Sequence, residues 1–289
     1  MNTQFETTTS LVASVETLIS LPEVYLQVKA VVEDPDSGLS DLADAVSIDP
    51  GIAARILRLV NSAYFCLGVT VDNIRQAVNL LGMKSVHNLV LATALSSRFS
   101  RSSSSDLDMR SFWESSVRCA VFARSIAISC DEKEHERLFI DGLLCNIGHQ
   151  VMYMQMAEQT KSALNKSVIS GEALANVESE LLGFNYAEVG GELLKQWGMP
   201  ESITEVVRHH IDPENSSLFS RDASIVHIAN VLSQLSDNPL ANEIRIAEIS
   251  PLAWQITGLN PDNLLELFGE TTDEMNETID MLLGSRMAA

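Results

Sequence analysis

The chain has 289 residues, 46% of them hydrophobic, enough to bury a large core in one large domain or two modest ones at roughly 100–200 residues each. Nineteen Lys and Arg stand against 39 Asp and Glu, a net charge of −20. That balance argues against duplex nucleic acid, whose binding relies on cations that displace condensed counterions, and against an anionic membrane surface.

The N-terminus carries Glu6 and Glu16 and no basic stretch before an apolar run, so no secretory signal is expected. No segment reaches the ~20 apolar residues of a membrane span, and a soluble cytoplasmic protein is expected. Leu39 to Val46 followed by Asp49 to Val60 has a helix-turn-helix rhythm, with Arg55, Arg58 and Asn61 offered by the second helix. Asp49-Pro50 reads as an N-cap and a first-turn proline, and Ile52, Ile56, Leu59 and Val60 then fall on one helical face. The tract Ser100 to Asp106 cannot bury enough apolar surface to stay ordered, so a mobile linker is expected near 100–108. It separates a first part, residues 1–110 with 8 basic and 12 acidic residues, from a more acidic remainder.

Trp113, Val117, Ala120 and Val121 again share a helical face, with Trp113 expected in the core. Gly198 reads as a helix stop with Pro200 opening the next helix, and Asn260-Pro261 as another start. The tail from Ile244 adds at least two amphipathic helices. With no alternating strand and no internal repeat, the fold class expected is all-α. Cys66, Cys119, Cys130 and Cys145 lack CxxC spacing and read as reduced structural thiols.

The stretch Gly142-Leu143-Leu144-Cys145-Asn146-Ile147-Gly148 resembles the metal-binding helix of HD-superfamily phosphohydrolases, which carry a His-Asp pair between the same glycines. Ordered blocks around it resemble the bacterial HDOD domain, the HD-related output domain. They are Leu21-Pro22, Asp49-Pro50, Arg55 to Phe65, Ala77 to Gly82, Phe112-Trp113, Leu182-Gly183-Phe184, Ala187 to Gly190, Trp197 to Pro200 and His209-His210. The resemblance covers residues 15–235. It implies an all-helical protein with an N-terminal helical lobe (1–105), an HD-hydrolase-like helical lobe (106–235) and a C-terminal helical extension (236–289). Family members are thought to be non-catalytic signalling outputs, alone or fused to sensor and receiver domains; no such fused domain is expected in this chain.

By the same resemblance the upstream metal His falls at Ser115, the His-Asp pair at Cys145 and Asn146, and the later Asp at Asn230. All four are substituted. A hard divalent ion needs anionic oxygen and imidazole donors to replace its water, and an amide brings no charge. No catalytic residue, metal or cofactor is therefore expected. Where the related HD-GYP enzymes carry a His, this chain has Tyr186. His209-His210 resembles their paired histidines, yet neighbours on a helix diverge by about 100°; both also suit the C-terminal end of a helix dipole, with Glu201 and Glu205 nearer its start. Cys145 and His149 lie at i, i+4, a spacing that fits a soft metal or a thiolate–imidazolium pair, with a buried structural Cys beside a partly exposed His as the simpler reading.

Three functions are open at this stage. The first is a regulatory module that binds a signalling protein or small effector through the degenerate cleft, using His149, Tyr186, Trp197, His209 and His210. The second is a residual metal-dependent phosphohydrolase. The third is DNA binding through the helix-turn-helix rhythm, against which the acidic charge weighs. Oligomeric state is not legible.

Overall fold

The computed structural model describes residues 5, 7–15, 21–62, 65, 68–99, 109–235 and 239–283. Among these no strand occurs; the chain is all-α, as its periodicity implies. In chain order the helices are α1 (Thr8–Val15), α2 (Glu23–Glu33), α3 (Leu39–Ser47), α4 (Pro50–Val60), α5 (Ile74–Phe99), α6 (Met109–Ser129) and α7 (His135–Leu144). They continue with α8 (Ile147–Ser170), α9 (Leu174–Leu182), α10 (Tyr186–Gln196), α11 (Glu201–His209), a 3-10 turn (Pro213–Asn215), α12 (Ser220–Ser233), α13 (Pro239–Ala247), α14 (Pro251–Thr257) and α15 (Pro261–Leu283). The serine tract, Cys66, and the expected boundaries after 105 and 235 lie in or against segments outside the described residues. Among the described residues no helix is long and apolar enough to cross a membrane.

The chain divides into two compact units. One contains α2 to α5, the part of α6 up to Arg118, and the part of α15 from Gly269. In it α2, α3 and α4 all pack on α5. Asp49 caps α4 as its sequence suggests: Oδ1 accepts from the backbone N–H of Gly51 and Ile52 at 2.9 and 3.1 Å. Ile52, Ile56, Leu59 and Val60 are buried, and so is Trp113 on α6. Asn61, one of the side chains a recognition helix would offer to bases, is instead a clamp. Its Nδ2 donates to the carbonyls of Leu57 and Val71, and its Oδ1 accepts the N–H of Val71 at 2.7 Å.

The other unit contains α1, α6 from Cys119 onward, α7 to α14, and α15 up to Phe268. Here α8 packs on α9, α10 and α1, while α11 packs on α10, α7 and α12. Two glycines permit the closest helix approaches. A Cβ on Gly142 would lie 2.8 Å from the carbonyl oxygen of Cys119 and 2.9 Å from Cα of Ala120, so α7 and α6 touch backbone to backbone there. A Cβ on Gly148 would lie 1.9 Å from the carbonyl oxygen of Tyr186 and 2.7 Å from the nitrogen of Gly190, which seats α8 directly on α10. Arg137 on α7 joins three helices. It donates to Asp141 at 2.7 Å, to Asp222 on α12 at 2.5 Å and to the carbonyl of Ser202 on α11 at 3.4 Å.

Candidate functional site

Cys145 and Asn146 occupy the two-residue break between α7 and α8. Asn146 is the N-cap position of α8, yet its side chain makes no capping bond. Its Nδ2 instead donates to Oδ1 of Asn230 on α12 at 3.0 Å. The Asn230 side chain also acts on the Tyr186 hydroxyl, holding its pKa down against burial, and that hydroxyl lies 3.4 Å from Nε2 of His210. His210 Nδ1 sits 2.7 Å from the carbonyl of Val207. A carbonyl only accepts, so Nδ1 carries the hydrogen, Nε2 is bare, and the Tyr186 hydroxyl donates to it. The result is a row of uncharged groups, Asn146–Asn230–Tyr186–His210, hydrogen-bonded at its two ends.

Tyr186, the first residue of α10, fills this place. Its ring stacks on His149 with centroids 3.9 Å apart and planes 19° apart, and it meets His210 edge-on at 5.6 Å. Its N–H is held by Oε2 of Glu178, a fully buried carboxyl on α9, at 2.9 Å. Asn185 and Glu188 complete the cap of α10 as a reciprocal box. Burial pushes the Tyr186 phenol up, His149 down to about 3 and His210 down to about 4, so both imidazoles are neutral. Burial also pushes Glu178 up to about 7. Cys145 and Cys119 face each other with sulfurs 3.5 Å apart, both fully buried, and burial drives the Cys119 thiol well above its ordinary range.

The other expected site residues are dispersed. Ser115 is half-buried on the portion of α6 that belongs to the first-described unit. Trp197 is the half-buried C-cap of α10, the opposite end of that helix from Tyr186 and about 16 Å along its axis. The paired histidines diverge: His210 is fully buried in the cluster, while half-buried His209 pairs with Glu205 at 3.4 Å. Glu178 and Cys119 complete the cluster without having been singled out in the sequence. Glu178 had a signal: it sits between Leu174 and Leu182 at i, i+4 spacing, on the face a core helix reserves for apolar residues.

A divalent metal is the group that HD-type chemistry would require, and the donors do not fit one. The amides of Asn146 and Asn230 are committed to each other, and neither they nor Tyr186 and the two neutral imidazoles bring the negative charge that magnesium or manganese demands, while the carboxyl of Glu178 is fully buried with Oε2 held by the Tyr186 N–H and Oε1 turned to His149. Among the described residues no group of three His, Cys, Asp or Glu side chains is gathered for metal binding.

The sequence model of the HDOD domain matches residues 18–213. The chain belongs to the HDOD domain family. An HDOD domain protein of unknown function from Geobacter sulfurreducens superposes with a TM-score of 0.74 at 19% identity, covering 96% of this chain and 98% of that one. A candidate phosphohydrolase from Shewanella amazonensis SB2B superposes at 0.73 and 23% identity, covering 94% and 98%. At these identities the likeness is one of fold. An uncharacterized protein of Treponema pallidum (strain Nichols) is 28% identical over 239 residues, 80% of this chain and 45% of its own length. This HDOD chain thus spans about half the length of that curated relative.

Proposed function

We propose that this HDOD protein is a non-catalytic bacterial signalling module that binds a protein partner or small effector through its degenerate HD-type cleft. The observation that carries the reading is the amide pair Asn146–Asn230, locked at 3.0 Å in place of a metal-binding carboxylate pair. An Asn–Asn bond costs nothing in charge burial and holds α8 to α12 without an ion, whereas hydrolysis of a phosphodiester by this class of site needs a metal-activated water. Of the aromatic cluster, His149 keeps 16% of its side chain exposed beside buried Tyr186 and His210, which makes its edge the contact offered to a partner or effector. The net charge of −20 favours a protein or small-molecule partner over nucleic acid.

The test is a phosphodiester-release assay on the full chain supplied with magnesium or manganese, with Asn230→Ala in parallel. The expected result is identical background release from both proteins. Metal-dependent turnover in the wild type that Asn230→Ala abolishes would establish a residual metal-dependent phosphohydrolase and overturn the proposal.

A further inference from the structure

The two oxygens of Glu178 are unequally served. Oε2 accepts the Tyr186 N–H. Oε1 is buried with no hydrogen-bond partner, and so is Nδ1 of His149 on α8; the two orphaned atoms face each other at 3.8 Å. A carboxylate oxygen and a bare imidazole nitrogen are both acceptors, and two buried acceptors in opposition are costly. One proton between them satisfies both once the side chains close from 3.8 Å to hydrogen-bond distance, a movement of about 1 Å.

The groups around the pair leave that role to a proton. From α8 comes Tyr153, whose phenol is pushed up by burial and by Glu178 and drawn down by Lys161. From α10 comes the Tyr186 ring and N–H, with Glu188 occupied by the backbone of Asn185. From the C-cap of α11, His210 faces His149 and is neutral. The ion pair Lys166–Glu180, also between α8 and α9, is exposed and already matched.

We propose that Glu178 and His149 hold one shared proton, and that Glu178 ionises by passing it through the imidazole in a tautomer switch. In the acid form Glu178 Oε1–H donates to Nδ1 and His149 carries its own hydrogen on Nε2. On ionisation the O–H bond breaks and an Nδ1–H bond forms, while the Nε2–H bond breaks and that proton goes to water. The carboxyl ends with one negative charge, and the imidazole is neutral on both sides. Nδ1 is sealed while the His149 side chain keeps 16% exposure, so the open edge of the ring lies away from Nδ1, toward the atom that exchanges with water. The midpoint falls near the Glu178 value of about 7. His149 then presents a donor below it and an acceptor above it, beside Tyr186. The switch stands whether or not the cleft takes an effector.

Long-range proton–nitrogen correlation spectra of the full chain labelled with nitrogen-15 histidine distinguish both neutral tautomers from imidazolium. His149 is assigned by the signal lost in His149→Gln. From about one unit below the midpoint to about one unit above it, His149 is expected to pass from Nε2–H to Nδ1–H without forming imidazolium. Glu178→Gln, whose amide donates permanently to Nδ1, is expected to stay Nε2–H throughout. A single wild-type tautomer across the range, passage through imidazolium, or the same course in Glu178→Gln would each overturn the proposal. An infrared titration adds a second readout: a protonated-carboxyl band present in the wild type below the midpoint, vanishing through it and missing from Glu178→Gln, is expected, and its absence from the wild type below the midpoint overturns the proposal as well.

Discussion

Gly148 lies against the backbone of Tyr186 so closely that a single added carbon would come within 1.9 Å of the Tyr186 carbonyl oxygen. The glycine that frames a metal-binding motif in related sequences is here a packing contact between α8 and α10. That contact also places the Tyr186 ring on His149. The frame around Cys145 and Asn146 therefore has a structural reason to persist that does not depend on metal chemistry.

Gly148→Ala is expected to be among the most destabilising single substitutions in this unit. Neither atom it meets is a flexible side chain, since both Tyr186 O and Gly190 N are backbone. A loss of about 3 kcal/mol or more follows from overpacking of this kind. Chemical denaturation measures it. Gly171→Ala, at a left-handed helix end with open space around it, is the comparison, with an expected cost of about 1 kcal/mol.

Arg137→Met is expected to cost about 3–5 kcal/mol. The guanidinium fork lies between Asp141, whose side chain is fully buried, and Asp222, and its removal leaves both carboxylates facing the interior unpaired. Lysine cannot reach both with one ammonium, so Arg137→Lys is expected to recover only part of the loss. Unfolding midpoints of the two variants, compared with the wild type, check the order.

Stability is expected to fall as pH rises from about 4.5 to about 7, through the contribution of Glu178. Over that window the folded chain holds a proton that the unfolded chain has released, so alkali favours unfolding, by at most about 3 kcal/mol. His149 and His210 act in the opposite sense. Neutral in the fold, they cost stability as pH falls below the usual imidazole value of 6.5 toward about 3 and about 4. The difference between wild-type and Glu178→Gln stability curves isolates the carboxyl: it should decline across 4.5 to 7 and be flat above. A flat difference throughout would show that the carboxyl is ionised in the fold.

Local chemistry was the legible part of the sequence. Asp49-Pro50 opens α4, Asn260 caps α15 through the N–H of Asn263, Gly198 adopts a left-handed φ of 64° after α10, and the faces of α4 and α6 are buried as their spacing requires. Such features depend on neighbours within one or two turns. Cys145, Asn146 and Asn230 could be singled out by motif, and the structure joins Asn146 to Asn230 across 84 positions. What spacing could not convey was which members of a motif turn inward. His209 and His210 are adjacent in sequence, but one turns to Glu205 and the other to Tyr186. Trp197 lies on the same helix as Tyr186 but at its far end. The spacing of Glu178 between Leu174 and Leu182 marks it as inward-facing, but its partners, like those of Cys119, are set by helix packing, which no local pattern encodes.

The donor chemistry around Asn146 and Asn230 is tested most directly by metal stoichiometry. The full chain, produced in medium supplemented with manganese and iron and then gel-filtered, is submitted to elemental analysis alongside Asn230→Ala. Substoichiometric metal, equal in both proteins, is the expected result. About one equivalent per chain in the wild type, lost in Asn230→Ala, would contradict a site built from neutral amides.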